Sequence, residues 1–443
     1  MDKKTREEMI RYIMANLGDA VCLTDKHGVL QLYNPAAESL FGLASGGSPG
    51  QRLWEYIPFV ETNDDLIQLF IDAVHTRRSS CQRLVPYENR QGKTFHFRVS
   101  LSYREEYGGM FIIIVSDLTE LIKVTDAFTR YTSPQIAEYV LSTPEGEARD
   151  GETRDVTILM SDLRGFTAMS TSMAAKPLVD MLNHYFAQMV EVVSAFQGTV
   201  IEFLGDGIFV VFGAPQNDPG HAGHAVACAV EMQNAMEEVN RWNRENGFPD
   251  LSMGIGICSG SCVVGNIGSS QKMKYGCVGE SVNLAGRVES QTVGSQILIS
   301  ESTAALVSEP LTVPSRFTFL PKGAKAPVTV YEIAGIGTEH RLQKQKEDLS
   351  WIRLKQPPVL PFHLLNDDKS VDPETLEAEI TAISDDGRHL LVRTDPLPGF
   401  HRNVLAGIGS GAYGKVIGRE EEAAVVCLTS LPKDYEAWVR NLQ

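Results

Sequence analysis

The sequence lacks any apolar run near the roughly 20 residues that a membrane-spanning helix needs. Apolar runs such as Met110 to Val115 and Ile208 to Phe212 are far shorter and are typical of buried strands. The opening segment, MDKKTREEMIRYIM, has no apolar stretch followed by a small-residue cleavage site. We therefore expect no signal peptide, no membrane span and a cytoplasmic location.

Positive charge is also scarce. The 40 Lys and Arg residues against 56 Asp and Glu give a formal net charge of -16. Such a chain repels phosphate backbones and anionic lipid surfaces, so we expect neither a nucleic-acid partner nor a peripheral membrane role. A bound triphosphate would need local cations.

Cysteine is limited to seven scattered residues that form no CxxC pair, which favours reduced thiols over a disulfide framework or a structural zinc site. The overall composition is typical of soluble globular proteins, with 43% hydrophobic and 22% charged residues. A length of 443 residues predicts about three domains.

Residues 1–118 begin with a predicted helix and then alternate short β-type segments with turn signals. The segments GVLQLYNPAAESLFG and IIIVSDLTE resemble those of PAS sensor domains. The resemblance implies a sensing or dimerising module. No PAS cofactor is identifiable, because we find no cysteine in a flavin-type motif and no haem ligand, so the ligand or signal is unknown.

Residues 119–150 form a predicted helical connector and linker. Apolar residues from Leu118 to Val140 follow a helical stripe, which fits pairing across a dimer and packing on its own domain equally well. The polar, acidic segment TPEGEARDGETRD then marks a boundary. We expect a new domain over residues 151–338.

This domain has the predicted order β-α-β-β-α-β, with helices over about 177–196 and 222–246. That order indicates a ferredoxin-like sheet with helices on one side. Together with a PAS-like domain and a small C-terminal β-barrel-like domain, it predicts an α+β multidomain chain.

Asp162 ends an apolar strand, and Asp206 lies in a tight turn between two apolar strands. Carboxylates at adjacent strand ends can share hard cations, and phosphoryl chemistry commonly uses two metal ions about 4 Å apart. Ordinary turn chemistry is the alternative for an isolated pair.

The segments around these aspartates resemble, in order and spacing, those of class III nucleotidyl cyclases. They are SDLRGFT, FLGDGIFVVFGAP, GIGICSGSCVVGNIGS, VGESVNLAGRVES and PKGAKAPVTVYEI, preceded by FTRYTSPQIAEYVL. The resemblance implies attack of the ribose 3′-oxygen of a nucleoside triphosphate on its α-phosphate.

The resemblance also implies roles for individual residues. Two divalent cations, Mg²⁺ or Mn²⁺, bind at Asp162, Asp206 and the backbone of Leu163. The backbone of Leu163, Arg164, Gly165, Phe166 and Thr167 cradles the triphosphate.

Three further catalytic positions follow from the same resemblance. Asn283 orients the ribose, and Arg287 stabilises the transition state at the α-phosphate. The two residues lie four apart and share one face of a helix. Lys322 contacts the terminal phosphates, with Lys325 as an alternative; an exposed polar pair is the alternative for Asn283 and Arg287.

Base choice depends on two positions. In the family, the residue four before the second aspartate is lysine in adenylate cyclases and glutamate in guanylate cyclases, and here it is Glu202. The second selector is Gly276, which departs from both groups. A carboxylate prefers the donors of guanine, so we predict GTP as substrate and cyclic GMP as product, with ATP and cyclic AMP as the alternative.

In the family, one subunit supplies the metal aspartates and the other supplies the base selectors, asparagine and arginine. One chain that carries all of them implies a homodimer. The second alternative is a catalytically silent dimeric receptor. A sensor joined to a cyclase in this way is typical of bacteria.

Gly409 to Val416 matches a kinase glycine loop and most of a P-loop. A P-loop needs serine or threonine where Val416 stands, and a kinase needs further motifs after the loop. We interpret the segment as a glycine-rich turn between strands.

Residues 350–443 alternate short strands and predict a small antiparallel barrel with a terminal helix. They bear a faint resemblance to PilZ domains, which bind cyclic di-GMP. Ser384 and Gly387 of the binding turn are present, but Ala382 replaces its first polar residue and Arg353 lacks an arginine partner. We expect a degenerate accessory barrel rather than a cyclic di-GMP receptor.

Overall fold

The computed structural model describes residues 3–43, 50–143, 151–269, 271–321, 323–324, 326–343, 350–365, 371–385, 387–399, 402–409, 411–420, 422–432 and 434–442. Contacts divide the chain into two compact units, Met1–Tyr131 and Thr132–Gln443. Over the described ranges, no helix combines the length and apolar character that crossing a membrane requires.

The first unit contains a five-stranded antiparallel sheet in the order β2-β1-β5-β4-β3. Three short 3₁₀ turns accompany its helices. Its elements are α1 (Lys3–Asn16), β1 (Ala20–Asp25), β2 (Leu30–Tyr33), α2 (Pro35–Phe41), α3 (Asp64–Thr76), β3 (Ser80–Glu88), β4 (Thr94–Arg104), β5 (Met110–Asp117) and α4 (Thr119–Tyr131).

Helix α3 covers this sheet with an apolar face. Its buried residues follow the i, i+3, i+4, i+7 spacing of one helical face. A cavity of about 10 Å³ lies among Trp54, Phe70 and Phe111, which is about the space of one water molecule.

The second unit begins with a domain built on a mixed sheet in the order β13-β14-β11-β9-β6-β8-β7, with β10 paired to β9. The elements are α5 (Pro134–Ser142), β6 (Glu152–Leu163), α6 (Phe166–Ser172), α7 (Ala175–Ala195), β7 (Thr199–Leu204), β8 (Gly207–Phe212), α8 (His221–Glu245), β9 (Met253–Ser269), β10 (Lys272–Val278), α9 (Glu280–Glu289), β11 (Ile297–Ser300), α10 (Glu301–Leu306), β12 (Leu311–Thr312), β13 (Arg316–Phe319), β14 (Val328–Glu332), β15 (Gly335–Ile336) and β16 (His340–Arg341).

Both faces of this sheet are covered. Residues of α7 and α8 pack on one face with Ile208, Val210 and Phe212, whereas residues of α9 pack on the other with Phe209 and Val211. Strand β8 is therefore apolar at every side chain, as expected for a strand buried on both sides. The predicted β-α-β-β-α-β order is present, and α9 adds a layer on the second face.

The predicted helical connector contains two helices. Helix α4 ends at Tyr131, and α5 starts with Pro134 at its first turn and the Ser133 hydroxyl as its N-cap. Proline disfavours helical conformation in the residue before it, so Ser133 is extended and the helix is interrupted. The boundary between the two units falls in this connector.

The C-terminal region forms a closed six-stranded barrel, β19-β18-β21-β22-β23-β20, in which β20 returns to β19 and β17 pairs with β19 outside the ring. Its interior is apolar. The elements are β17 (Trp351–Arg353), β18 (Val359–Leu365), β19 (Val371–Ser384), β20 (His389–Arg393), β21 (Asn403–Ala406), β22 (Ala412–Glu420), β23 (Ala423–Ser430) and α11 (Tyr435–Leu442).

Residues singled out for the PilZ resemblance have structural roles in this barrel. Gly387 has φ of 68° in the turn between β19 and β20. Ser384 Oγ accepts a hydrogen bond from His389 N at 2.8 Å across that turn, and Arg353 lies opposite Ala382 on β17 and β19. The relation to PilZ domains stays a prediction.

Candidate active site

Asp162 and Asp206 lie at the ends of neighbouring strands. Strands β6 and β8 pair with Ser161 opposite Ile208, which brings Asp162 against the turn that contains Asp206. Asp206 Oδ2 accepts a hydrogen bond from Leu163 N at 3.3 Å, and the two aspartate carboxylates lie close enough for each to influence the pKa of the other.

Burial raises the pKa of Asp162, and repulsion from Asp206 raises it further. Burial also raises the pKa of Asp206, although hydrogen bonds from its own backbone and from Leu163 oppose this effect. The negative charge of these two neighbouring, half-buried carboxylates therefore favours the binding of a cation.

This donor set fits a hard divalent cation. Carboxylate oxygens, with the Leu163 carbonyl at the strand end, are the ligand type that Mg²⁺ and Mn²⁺ prefer. No group of three or more His, Cys, Asp or Glu side chains converges within the described part of the chain. Magnesium at phosphate sites commonly has one or two carboxylates and completes its coordination with substrate oxygens and water.

The loop from Leu163 to Thr167 leads directly from this pair into helix α6. The Arg164 amide donates to the Ser252 carbonyl at 2.8 Å, so this amide and that of Leu163 already have acceptors. Gly165 turns the chain with φ of 73°. The amides of Phe166 and Thr167 then open α6, where no helical carbonyl precedes them.

The Arg164 side chain points away from this loop. Its Nη2 forms an ion pair with Glu289 and donates to Thr292 Oγ1 at 2.8 Å. Burial lowers the pKa of Arg164. The side chain therefore ties the loop after β6 to the C-terminal end of α9, and only its backbone belongs to the predicted triphosphate cradle.

Helix α9 carries Asn283 and Arg287 on one face and packs on the sheet through Ala285 and Val288. Asn283 is exposed and Arg287 is half-buried. Within the described residues, neither side chain has a hydrogen-bonding or ionic partner. A Cβ built on Gly323 would lie 3.9 Å from both terminal nitrogens of Arg287, so the loop containing the predicted phosphate lysine runs beside this guanidinium. Lys322 and Lys325 themselves lie outside the described residues.

Glu202 lies on β7 and forms an ion pair with Lys274 of β10, with the two side chains 45% and 48% exposed. Side chains alternate along a strand, so Lys274 and Gly276 share one face of β10. Gly276 lies opposite Gly265 in the hairpin with β9. Lys274 thus relates the two predicted base selectors: it pairs with Glu202 and shares a strand face with Gly276.

Family models match two parts of this chain. The adenylate and guanylate cyclase catalytic domain matches residues 149–335, and the PAS fold matches residues 8–118. Residues 149–335 therefore form an adenylate and guanylate cyclase catalytic domain. This cyclase domain contains the aspartate pair, helix α9 and the Glu202 neighbourhood described above.

Named relatives of the cyclase domain differ in substrate. Adenylate cyclase 1 of Rhizobium meliloti is 30% identical over 211 residues, covering 47% of this chain and 32% of that protein. The adenylate cyclase of Anabaena cylindrica is 30% identical over 227 residues, covering 48% and 44%. The crystal structure of the guanylyl cyclase Cya2 is 47% identical, covering 44% of this chain and 98% of that one, with a TM-score of 0.43. The chain spans less than half the length of the two curated relatives.

One residue of the cyclase site, Lys274, and one side-chain contact, that of Arg164, were not predicted from the sequence. Lys274 could have been found from its position two residues before Gly276, which strand alternation puts on the same face. The side-chain role of Arg164 depends on Glu289 and Thr292, which are more than 120 residues away in sequence. No local pattern signals that contact.

Proposed function

We propose that the cyclase domain converts GTP to cyclic GMP and pyrophosphate. The ribose 3′-oxygen bonds to the α-phosphorus as its proton departs, and the bond to the β-phosphate oxygen breaks. The observation that carries the choice of GTP is the exposed Glu202 carboxylate, held by Lys274 beside Gly276.

Guanine presents adjacent donors at N1 and N2, whereas adenine presents an acceptor at N1. A carboxylate has about four lone-pair positions, so Glu202 can accept from guanine while it remains paired with Lys274. Gly276 leaves room for the base and contributes no side chain. An adenine in the same place would be disfavoured, because the lone pair on its N1 would face the negatively charged Glu202 carboxylate.

The remaining roles follow from position. Asp162, Asp206 and the Leu163 carbonyl would hold the divalent cations, which supply charge neutralisation for the triphosphate when bound. Arg287 would stabilise charge at the α-phosphate with its planar, two-pronged guanidinium, and Asn283 would orient the ribose. The α6 amides and Lys322 would hold the other phosphates.

We also infer a homodimer with shared sites. Asn283 and Arg287 lack partners in the described part of their own chain, which suits side chains that serve a neighbouring subunit. Exposed apolar residues lie along β7 and the β9–β10 hairpin, and such patches mark interaction sites. They are Phe203, Leu204, Val263, Ile267, Met273 and Val278.

The test is to incubate the purified chain with GTP or ATP and Mg²⁺ or Mn²⁺ and to identify the products by chromatography and mass spectrometry. We expect cyclic GMP from GTP, with a higher kcat/KM than for ATP. Cyclic AMP as the only product would refute the GTP assignment. No cyclic product under any condition would favour the silent receptor.

Replacing the base selector sharpens the test. Glu202→Lys removes an ionised acceptor and should lower kcat/KM for GTP about 10- to 100-fold, the effect of losing a hydrogen bond to a charged group. Glu245→Lys makes the same charge change at an exposed position at the end of α8 and should leave the ratio of GTP to ATP use unchanged. Equal effects of both variants on that ratio would contradict the role of Glu202.

A further inference from the structure

The glycine-rich segment near the C-terminus, which the sequence excludes as a nucleotide loop, contains a buried lysine. Lys415 lies in the middle of β22 and is 3% exposed. Its ammonium donates to the backbone carbonyl of Gln291 and, at 3.2 Å, to Gln291 Oε1. Gln291 belongs to the cyclase domain, two residues beyond the end of α9.

The residues next to Lys415 on β22 explain why its side chain points out of the barrel. Val416 packs in the apolar barrel interior, so alternation along β22 directs Lys415 outward. Gly414 is required by close strand packing, because a Cβ there would approach the Val426 side chain at 2.8 Å and the Cys427 carbonyl at 3.0 Å. The segment is thus a strand that presents one lysine to the cyclase domain.

Lysine is almost never fully buried without a partner. Burial lowers the pKa of Lys415 to about 7, and the positive charge of Arg164 lowers it in the same direction. An ammonium at this position therefore has a desolvation cost, and the two oxygens of Gln291 are the acceptors that offset it. A surface contact of low specificity would leave the ammonium in water.

A continuous set of contacts connects Lys415 with the active site. Gln291 N donates to the Val288 carbonyl in the last turn of α9. Glu289, two residues before Gln291, and Thr292, the residue after Gln291, both contact the Arg164 guanidinium. Arg164 in turn follows Asp162 by two residues, and Arg287 lies in the same last turn of α9.

We propose that the C-terminal barrel is an intramolecular partner of the cyclase domain, which it binds through Lys415, and that this contact fixes the end of α9 against the loop after Asp162. The bound barrel supports activity, since it orders two parts of the chain that serve different active sites of the proposed dimer: Arg287 in one site and the metal-binding loop in the other. The effect on activity rests on the proposed cyclase function, whereas the docking does not.

The test compares Lys415→Met with Lys355→Met. Methionine keeps the aliphatic volume and removes the donors, and Lys355 is an exposed lysine of the same domain. Hydrogen exchange of peptides covering residues 285–295 should become at least about 10-fold faster in Lys415→Met, the change expected when a local hydrogen-bonded contact opens. Exchange in Lys355→Met should match the wild type.

The activity measurement uses the whole 443-residue chain. We expect kcat to fall about 3- to 10-fold in Lys415→Met with little change in KM, the range typical of coupling between sites. Gln291→Ala approaches the contact from the cyclase side, and the double variant should show no further loss beyond Lys415→Met. Thermal unfolding reports whether each variant is folded.

Unchanged exchange over 285–295 in both Lys415→Met and Gln291→Ala would overturn the docking contact. Faster exchange with kcat equal to that of Lys355→Met would overturn its effect on catalysis. A wild type that makes no cyclic nucleotide would defeat the proposed function alone, because the exchange measurement would still decide whether the barrel is docked.

Discussion

At the scale of single residues, the candidate site contains charged side chains whose charge the surrounding protein only partly neutralises. Asp162 and Asp206 contact each other, while the nearest cation, Arg164, is engaged by Glu289. Glu202 has a partner but stays half exposed. Repulsion and incomplete pairing cost stability in the free protein, and such costs are typical of sites that bind a charged ligand.

Lys274 gives the first prediction. Lys274→Met should raise KM for GTP about 3- to 10-fold, because Glu202 loses the ion-pair partner that orients its carboxylate. The free energy of unfolding should change by less than about 1 kcal/mol, since exposed ion pairs contribute little. Steady-state kinetics and denaturant unfolding measure the two effects.

Lys272→Met is the matched control, because this lysine lies on the same strand and its side chain has no hydrogen bond or ion pair to the described residues. If both variants raise KM equally, the effect is one of general charge near the triphosphate, and the specific role of Lys274 is wrong.

At the scale of elements, glycine sets how closely β8 approaches the end of β6, the two strands next to the proposed metal site. In Gly207→Ala the new Cβ would meet the Ser161 carbonyl oxygen at 2.6 Å, and a backbone atom cannot move aside cheaply. We expect β8 to shift from the end of β6, with a loss of about 1–3 kcal/mol in the free energy of unfolding and at least a 10-fold loss of activity.

Gly205→Asn tests the same turn without that clash. Gly205 has φ of 68° and open space around it, and asparagine tolerates the left-handed conformation. Its free energy of unfolding should stay within about 1 kcal/mol of the wild type. A Gly207→Ala variant as stable as Gly205→Asn would show that the close approach is unimportant.

The sequence predicted elements well where one local pattern dominates. Helix α7 was expected over 177–196 and spans Ala175–Ala195, since an apolar face repeats along it. The connector was predicted as helical from its apolar stripe, but the stripe does not show that Pro134 begins a second helix. Contacts such as Lys415 with Gln291 unite segments 124 residues apart, and no periodicity or motif encodes them.

At the scale of the whole molecule, the chain joins a PAS domain, a cyclase domain and a closed barrel. The proposed catalytic groups divide into two sets within the cyclase domain: the aspartate pair with the proposed phosphate loop, and the polar face of α9 with the Glu202 neighbourhood. Arg164 links the first set to the end of α9 within one chain. A dimer with shared sites would use each set in a different active site.

Mixing inactive variants tests this division. Asp162→Ala removes a proposed metal ligand and Arg287→Ala removes the cation proposed to act at the α-phosphate, so each variant alone should be inactive. Random reassociation of equal amounts should restore about a quarter of wild-type activity, because half of the dimers are hybrids with one complete site in two. The measurement is cyclic nucleotide formation after co-expression or denaturation and refolding together.

Asp162→Ala mixed with Asp206→Ala is the control, because both variants lack the same half of the site and no hybrid restores it. Recovery in the first mixture and none in the second requires that the aspartates and Arg287 act from different subunits. If confirmed heterodimers of the first pair stay inactive, the sites are not shared. Each chain would then need to bring its own α9 face to its own aspartates, which the exposed Asn283, whose side chain has no partner among the described residues, disfavours.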